Sequence, residues 1–370
     1  MFYNLVVSFS PDEVERGRRY HRPRYLSALV EFLLMLAVLA LLAFTDLGDA
    51  LLPNWDWWAQ ALVYPAIILA VLTVVRLPIA YWRDYLRERE WGLSTQTAGG
   101  WAVDVLKGFV VSVVLATIVF VGLVGLANWT DAWPLIAAPL AAAFVVLLTF
   151  VAPVVLEPIF NKFKPVEDEQ LVAHLRALAE QAGVPVRDVL VADASRRTTK
   201  ANAYVSGFGA TRRVVLFDTL LERADANDLG AVLAHELAHR RYRDVVSFTA
   251  LFVAATIGLV VLLWAVLGED AADPRSFPLV LLVLALVQPV LFALLAAVSR
   301  RWEYRADRFA LDVTRDLPAL ERMFGHLVQT NVADLEPPRV VYYLRYTHPT
   351  VPERLEALRR AARTDGKEAA

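Results

Sequence analysis

Apolar positions gather into six long runs, at approximately Tyr25–Thr45, Trp58–Trp82, Val103–Ala127, Pro134–Leu156, Val245–Leu267 and Phe277–Ser299. Each is close to the ~20 residues that a helix rising ~1.5 Å per residue needs to cross ~30 Å of hydrocarbon. Burying six such helices in a soluble core would require an improbably large polar shell. A cleaved leader does not fit either, because the first run is too long and a charged segment precedes it. Trp55, Trp57 and Trp58 flank one run and Trp129 and Trp133 another, as aromatic belts do. The pattern predicts six transmembrane helices. Isolated polar residues inside them (Glu31, Gln60, Gln288) and prolines (Pro65, Pro139, Pro289) are expected to face neighbouring helices.

Between the fourth and fifth runs the periodicity changes. Glu167–Ala182 reads as an amphipathic helix, with Leu171, Leu175 and Leu178 three to four apart and Gly183 as its stop. Strand-like runs follow at Val189–Val191, Ala203–Val205 and Val214–Phe217, and helix resumes from Asp218 through His239. After Ser299 comes a second polar piece, mostly helical, ending in a disordered-looking Arg363–Ala370. The predicted organisation is an N-terminal segment (1–24), four membrane helices (25–157), a polar insert (158–244), two further membrane helices (245–299) and a C-terminal polar segment (300–370). The fold class is therefore mainly α: a polytopic membrane protein with a small α+β region.

Composition agrees. Of 370 residues 57% are apolar and the mean hydropathy is +0.46, above what a water-soluble chain carries. The 37 basic and 39 acidic residues nearly cancel, which excludes a globally basic nucleic-acid binder. Cysteine is absent, so any metal must be held by histidine and carboxylate. Basic residues also alternate with each crossing. They precede the first run (Arg16, Arg18, Arg19, Arg22, Arg24), fill the second loop (Arg83, Arg87, Arg89) and flank the insert (Lys162, Lys164, Arg240, Arg241, Arg243). The loops Asp46–Trp57 and Asn128–Trp133 have none. By the positive-inside rule both termini and the insert lie in the cytoplasm.

The chemistry is carried by His235-Glu236-Leu237-Ala238-His239, an HExxH motif. Residues four apart share a helix face, so both imidazoles can reach one zinc while Glu236 projects toward it. Random placement of six His and eighteen Glu would give the pattern about 0.005 times, which argues against accident. The apolar neighbours Ala231, Val232, Leu233, Leu237 and Ala238 would leave these polar groups in a partly dry wall, costly unless paired or metal-bound. A catalytic zinc takes three protein ligands. The best third candidate is Glu303, just past the sixth run, with Asp307 four residues on and placed to accept a hydrogen bond from a ligand histidine.

His235–His239 together with Ser299-Arg300-Arg301-Trp302-Glu303-Tyr304-Arg305-Ala306-Asp307 resembles the paired motifs of the integral-membrane zinc metalloproteases typified by the type I CAAX prenyl protease. Glu88–Thr97, Pro158–Phe163, Asn202-Ala203-Tyr204, and His348-Pro349 with Arg354 are similar to further segments of that family, so the likeness covers nearly the whole chain. It departs at the start, where the family's seven-helix architecture has one more helix than is read here. The resemblance implies a large intramembrane chamber with zinc near its cytosolic end. It also implies His348, helped by Arg354, hydrogen-bonding the oxyanion, and Asn202, Ala203 and Tyr204 holding the substrate backbone against an edge strand. His21, His174 and His326 have no nameable partners and are read as structural.

The resulting expectation is a membrane endopeptidase with one zinc per chain. Zinc would polarise the scissile carbonyl and Glu236 would take the proton of the attacking water. The substrate would be a peptide or protein, lipidated or membrane-associated, cleaved either as a CAAX peptide or in membrane-protein quality control. The enzyme would be a monomer in the bilayer, at the plasma membrane or the endoplasmic reticulum, with no nucleic-acid partner. Two rivals remain at this level: a site-2-type intramembrane protease, which uses an aspartate in a later membrane helix, and a non-catalytic metal-binding protein, which would not need Glu236.

Overall fold

The computed structural model describes residues 9–207 and 212–368, with side chains to residue 364. Helix α1, Pro11–Phe44, starts at a reciprocal cap: the Ser10 side chain receives the Glu13 amide at 3.2 Å and the Glu13 carboxylate receives the Ser10 amide at 2.9 Å. It thus begins fourteen residues ahead of the apolar run, because the amphipathic Arg-rich stretch simply continues the same helix. Then follow α2 (Trp57–Glu90), α3 (Ala98–Trp129) and α4 (Trp133–Phe160). The wide turns at Tyr81–Leu86 and Ala152–Leu156 fall just after Pro78 and at Pro153, where a missing N–H disturbs the regular ladder. Among the described residues six helices are long and apolar enough to span a membrane: α1 to α4, then the helices beginning at Asp244 and Pro274.

Glu31, the acidic residue expected to face a neighbour, pairs across to α2, with Arg76 at 3.1 Å and with Arg83.

The water-exposed part is built on a four-stranded sheet in the order β1-β2-β4-β3, formed by β1 (Phe163–Pro165), β2 (Asp188–Ala192), β3 (Ala203–Ser206) and β4 (Arg213–Phe217). β2 and β4 are parallel, while β1 and β3 pair antiparallel on the outside. Three of these strands are the predicted ones. β1 was not foreseen, since three residues holding Lys164 and Pro165 carry no alternation. Helix α5, Glu169–Gln181, is capped by Asp168 and stops at Gly183, whose φ of 68° suits glycine. The stretch after Asp218 is not one helix. A single turn at Asp218–Leu221 is separated from α6, Ala226–Arg241, because the Asp225 side chain caps a fresh start by accepting the Asp228 amide at 2.8 Å.

Helix α7 (Asp244–Leu267) and helix α8 (Phe277–Thr314) then cross and return. α8 does not stop where its apolar stretch does; fifteen more residues continue the helix. Helices α9 (Leu317–Asn331), α10 (Arg339–Arg345) and α11 (Val351–Glu368) complete the chain. α11 continues through most of the tail expected to be disordered, and residues 369–370 lie outside the described residues. One apolar core joins α5, the sheet, α6, α9 and α11 to Phe9 and Val14 at the start of the chain; a second joins the membrane helices. The N-terminal helix therefore docks on the catalytic region. It does so at glycine distance, since a Cβ on Gly17 would stand 2.3 Å from the Ala333 carbonyl oxygen.

That contact is testable. Gly17→Ala must push α1 off the 332–336 loop and should cost about 1–3 kcal/mol, as overpacking does. Thermal unfolding in detergent should show the lowered midpoint, and an unchanged midpoint would mean that the two segments are not held together.

Candidate metal centre and active site

Helix α6 is buried along most of its length and carries His235 and His239 one turn apart on one face. α8 supplies Glu303, 2% exposed, from the turn after its apolar stretch. The three side chains meet. His235 Nε2 and His239 Nε2 are 3.3 Å apart, His235 Nε2 is 3.3 Å from Glu303 Oε2, and His239 Nε2 is 3.4 Å from Glu303 Oε1.

Their outer nitrogens decide what this triangle can hold. His235 Nδ1 lies 3.0 Å from Asp307 Oδ1, and His239 Nδ1 lies 2.9 Å from Asp244 Oδ2. Each Nδ1–H donates to its carboxylate, so with both rings neutral the two Nε2 atoms present lone pairs to each other and to the Glu303 oxygens, and a proton or a metal ion must stand between them. Glu303 Oε2 is buried and accepts no hydrogen bond among the described residues. Acceptors facing acceptors at this distance repel unless a cation lies between them. A tetrahedral ion with bonds of ~2.0–2.1 Å sets its ligand atoms ~3.3–3.4 Å apart, which is the spacing seen here.

Charge points the same way: the carboxylates of Glu303, Asp307 and Asp244 outnumber the guanidinium groups of Arg354 and Arg305 paired with them. Burial and Arg354 oppose a proton on His235, yet Asp307 and Glu303 outweigh them and lift its pKa to about 9. The pocket favours positive charge. The residues present fit a metal.

Glu236 sits between the two histidines in sequence, half-buried, and no described residue hydrogen-bonds its carboxylate. Burial raises its pKa above the usual glutamate value, the neighbouring histidines opposing this. His348 reaches the cluster from the turn before α11, with Nε2 3.3 Å from Glu303 Oε1. Its side chain is 56% exposed, against 8% and 22% for the other two histidines, so it stands on the open side. The Thr347 hydroxyl lies 2.8 Å from His348 Nδ1. Donating there, it leaves the Nε2–H to point into the site.

Arg354 is not on that open side. Its Nε and Nη2 grip both Asp307 oxygens at 2.8 and 2.6 Å, Nη1 lies 3.3 Å from Glu303 Oε2, and its guanidinium sits over Phe324. The approach of Nη2 to His235 Nδ1, 3.2 Å, joins two donors that share Asp307 Oδ1 as acceptor. Arg354 thus meets the carboxylates behind the triangle.

β3, holding Ala203 and Tyr204, is an outer strand whose second edge has no partner strand among the described residues, and it packs on α6. Ala203 is buried, and the Tyr204 hydroxyl donates to Glu157 Oε2 at 3.2 Å, so neither side chain is offered to a ligand. Asn202 is exposed; its Oδ1 takes the Ala203 amide at 2.9 Å, and its NH2 group has no acceptor among the described residues. Ser206 and Arg213 also bind Glu157, each at 3.3 Å, which ties β3 to the end of α4. Arg240 donates to the Val205 carbonyl.

Sequence reading missed Asp244 and Arg305, which form an ion pair behind His239. The left-handed residue Arg243, φ 58°, turns the chain so that Asp244 comes back on His239. The available signal was a lone acid five residues after the motif in an arginine-rich stretch. The remaining histidines have partners: His21 Nε2 is 2.8 Å from the Val332 carbonyl, His326 is 3.9 Å from Asp228, and His174 packs over Gly230.

Two helix-borne histidines, a distal glutamate on a membrane helix and a carboxylate poised beside them define a membrane-embedded metallopeptidase. Comparison with known proteins agrees. Residues 165–362 match the model of peptidase family M48, and residues 5–162 that of the CAAX prenyl protease N-terminal region, described as five membrane helices. The chain belongs to peptidase family M48. It is 29% identical over 314 residues to the uncharacterized metalloprotease YhfN of Bacillus subtilis, covering 80% of this chain and 72% of that protein. It is 28% identical over 331 residues to CAAX prenyl protease 1 of Saccharomyces cerevisiae, covering 81% and 72%. The crystal structure of S. mikatae Ste24p shares the fold, with a TM-score of 0.76 at 22% identity over 95% of this chain and 89% of that one. The protein is thus an integral-membrane metalloendopeptidase of the CAAX-protease type, acting on peptide or protein. Both rivals fall with that assignment.

The Arg354–Asp307 pair gives a prediction independent of catalysis. Its side chains are 9% and 2% exposed, and removing one partner strands a buried charge at about 3–5 kcal/mol. Arg354→Ala should lower the unfolding midpoint accordingly, whereas a midpoint within error of the parent would show that Asp307 has another partner.

Proposed function

We propose that the chain is a zinc peptidase in which His235, His239 and Glu303 hold one zinc, Glu236 is the general base and His348 steadies the oxyanion. The observation that carries this is the convergence of His235 Nε2, His239 Nε2 and the Glu303 carboxylate at 3.3–3.4 Å, beside the Glu236 carboxylate, which no described residue hydrogen-bonds. Zinc bound there supplies a Lewis acid that acidifies water and polarises a carbonyl. Glu236, its basicity raised by burial, takes the proton of the attacking water and returns it to the leaving nitrogen. The His348 Nε2–H donates to the carbonyl oxygen as negative charge develops on it. Asp307 and Asp244 fix the histidine tautomers, and Arg354 orients Asp307 and Glu303.

The substrate is an extended polypeptide segment that adds to the free edge of β3, with the Asn202 side-chain amide donating to its backbone. Relatives named CAAX prenyl protease support a membrane-associated, lipidated chain as that substrate. The alternation of basic loops supports both termini and the active site facing the cytoplasm.

Purified protein should hold about one zinc per chain, the capacity of a single three-ligand site. His235→Ala, His239→Ala and Glu303→Ala should each abolish retention, while Asp307→Ala and Asp244→Ala should weaken it by roughly 10–100-fold. Glu236→Gln should keep the metal and lose at least ~100-fold in turnover of a peptide substrate. Full metal in Glu303→Ala, measured by elemental analysis, would discard this ligand set. For topology, the absence of native cysteine allows single cysteines at the exposed positions Arg16 and Asp131. They should label from opposite sides of sealed vesicles, and same-side labelling would overturn the orientation.

A further inference from the structure

His348 depends on a short turn, Thr347–Thr350, that belongs to neither the motif helix α6 nor the ligand helix α8. Two sets of contacts hold that turn. On its far side the Glu353 carboxylate takes the Thr350 amide at 2.8 Å, the Thr350 hydroxyl at 3.0 Å and the Tyr342 hydroxyl at 3.1 Å. On its near side everything passes through Tyr346, two residues before the histidine. The Tyr346 carbonyl accepts from Arg300 Nη1 at 2.6 Å, and Arg300 is itself buried on α8. The Tyr346 hydroxyl lies 2.6 Å from the hydroxyl of Tyr25, which is on the first membrane helix, 321 residues away.

The proton directions in this pair are determined. Tyr25 also lies 2.8 Å from Asp334 Oδ2, and a carboxylate can only accept. The single Tyr25 proton therefore goes to Asp334, and Tyr346 must donate to the Tyr25 oxygen. Asp334 is buried and its other oxygen takes the Glu336 amide at 3.1 Å, so it is fixed in turn.

Tyr25 is brought there by the docking of α1 on the 332–336 loop. Gly17 allows the close approach to Ala333, Arg18 pairs with Glu336 at 2.9 Å, and His21 Nε2 meets the Val332 carbonyl at 2.8 Å. Tyr25 is one turn further on the same face, its ring stacked on His21 with centroids 5.7 Å apart. None of these groups touches Glu236 or the three converging donors.

We infer that Tyr25 and Tyr346 form a latch through which the first membrane helix sets the His348 turn over the catalytic cluster, making both tyrosines positioning residues for the oxyanion donor. This rests on the reading of His348 given above. Asp334 anchors the latch, and Arg300 holds the same residue from the helix that carries Glu303. The membrane domain thereby takes part in arranging the active site without contributing an atom to it.

The test compares Tyr25→Phe, Tyr346→Phe and His348→Ala, singly and combined, in the full-length protein. Tyr346→Phe is the milder change, because Tyr25 keeps its own bond to Asp334. Each Phe variant should lose roughly 10–100-fold in kcat, the scale of a small misplacement of a catalytic group. KM and metal content should stay as in the parent. Affinity for a phosphinic peptide, which mimics the tetrahedral oxyanion, should fall by the same factor as kcat. In the His348→Ala background neither Phe change should cost anything further. Losses that multiply onto His348→Ala, or losses that appear in KM or metal content, would show the tyrosines acting elsewhere and overturn the latch. Normal Phe variants beside an impaired His348→Ala would overturn the latch alone. A His348→Ala enzyme with normal kcat and normal inhibitor affinity would remove the oxyanion reading and the latch together.

Discussion

Two histidine lone pairs and a buried carboxylate aimed at one point cannot be left to themselves. In water each would be solvated; here Glu303 is 2% exposed, and mutual repulsion at 3.3–3.4 Å must be offset by a cation or by rearrangement. The surrounding structure resists rearrangement. Asp307 and Asp244 hold the two rings from behind, Arg354 and Arg305 hold those carboxylates, and α6 is packed on almost every side. The fold spends its hydrogen bonds on keeping an unfavourable constellation in place, as the proposed metal site requires.

The parts come from distant stretches. The motif helix ends the insert between the fourth and fifth spans, the glutamate follows the sixth, and His348 and Arg354 lie later still. Crossing the membrane twice returns the chain to the same side, where α8 packs along α6 and α11 packs along α8. Pairing by long helices rather than by loops is what permits ångström-scale convergence, because a helix fixes the rotation and height of every side chain it carries.

Most of this architecture is legible in local pattern. Six apolar runs gave six candidate spans, and three strands were visible from their branched residues. Glu303 and Asp307 could be singled out because a helix period places them on one face. What escaped reading depends on contacts between segments far apart. Asp244 carries no motif and meets His239 only because Arg243 turns the chain left-handed. Glu157 looks like an ordinary juxtamembrane acid until β3 lays Tyr204 and Ser206 against it. The break before α6 depended on Asp225 acting as a cap, a role that many aspartates could fill but few do. The N-terminal arginine-rich stretch read as a polar segment, since charge density conceals helix when one face docks on another domain.

Continuity of α8 from Phe277 to Thr314 has a mechanical meaning. The helix runs unbroken, Pro289 within it, from its lipid-facing part to Glu303, so the height of the glutamate is coupled to the bilayer around the span. An axial slip of one residue is ~1.5 Å, a large fraction of a metal–ligand bond. At the proposed metal site, hydrocarbon thickness would then be one of the dimensions that set the height of Glu303 against the motif helix.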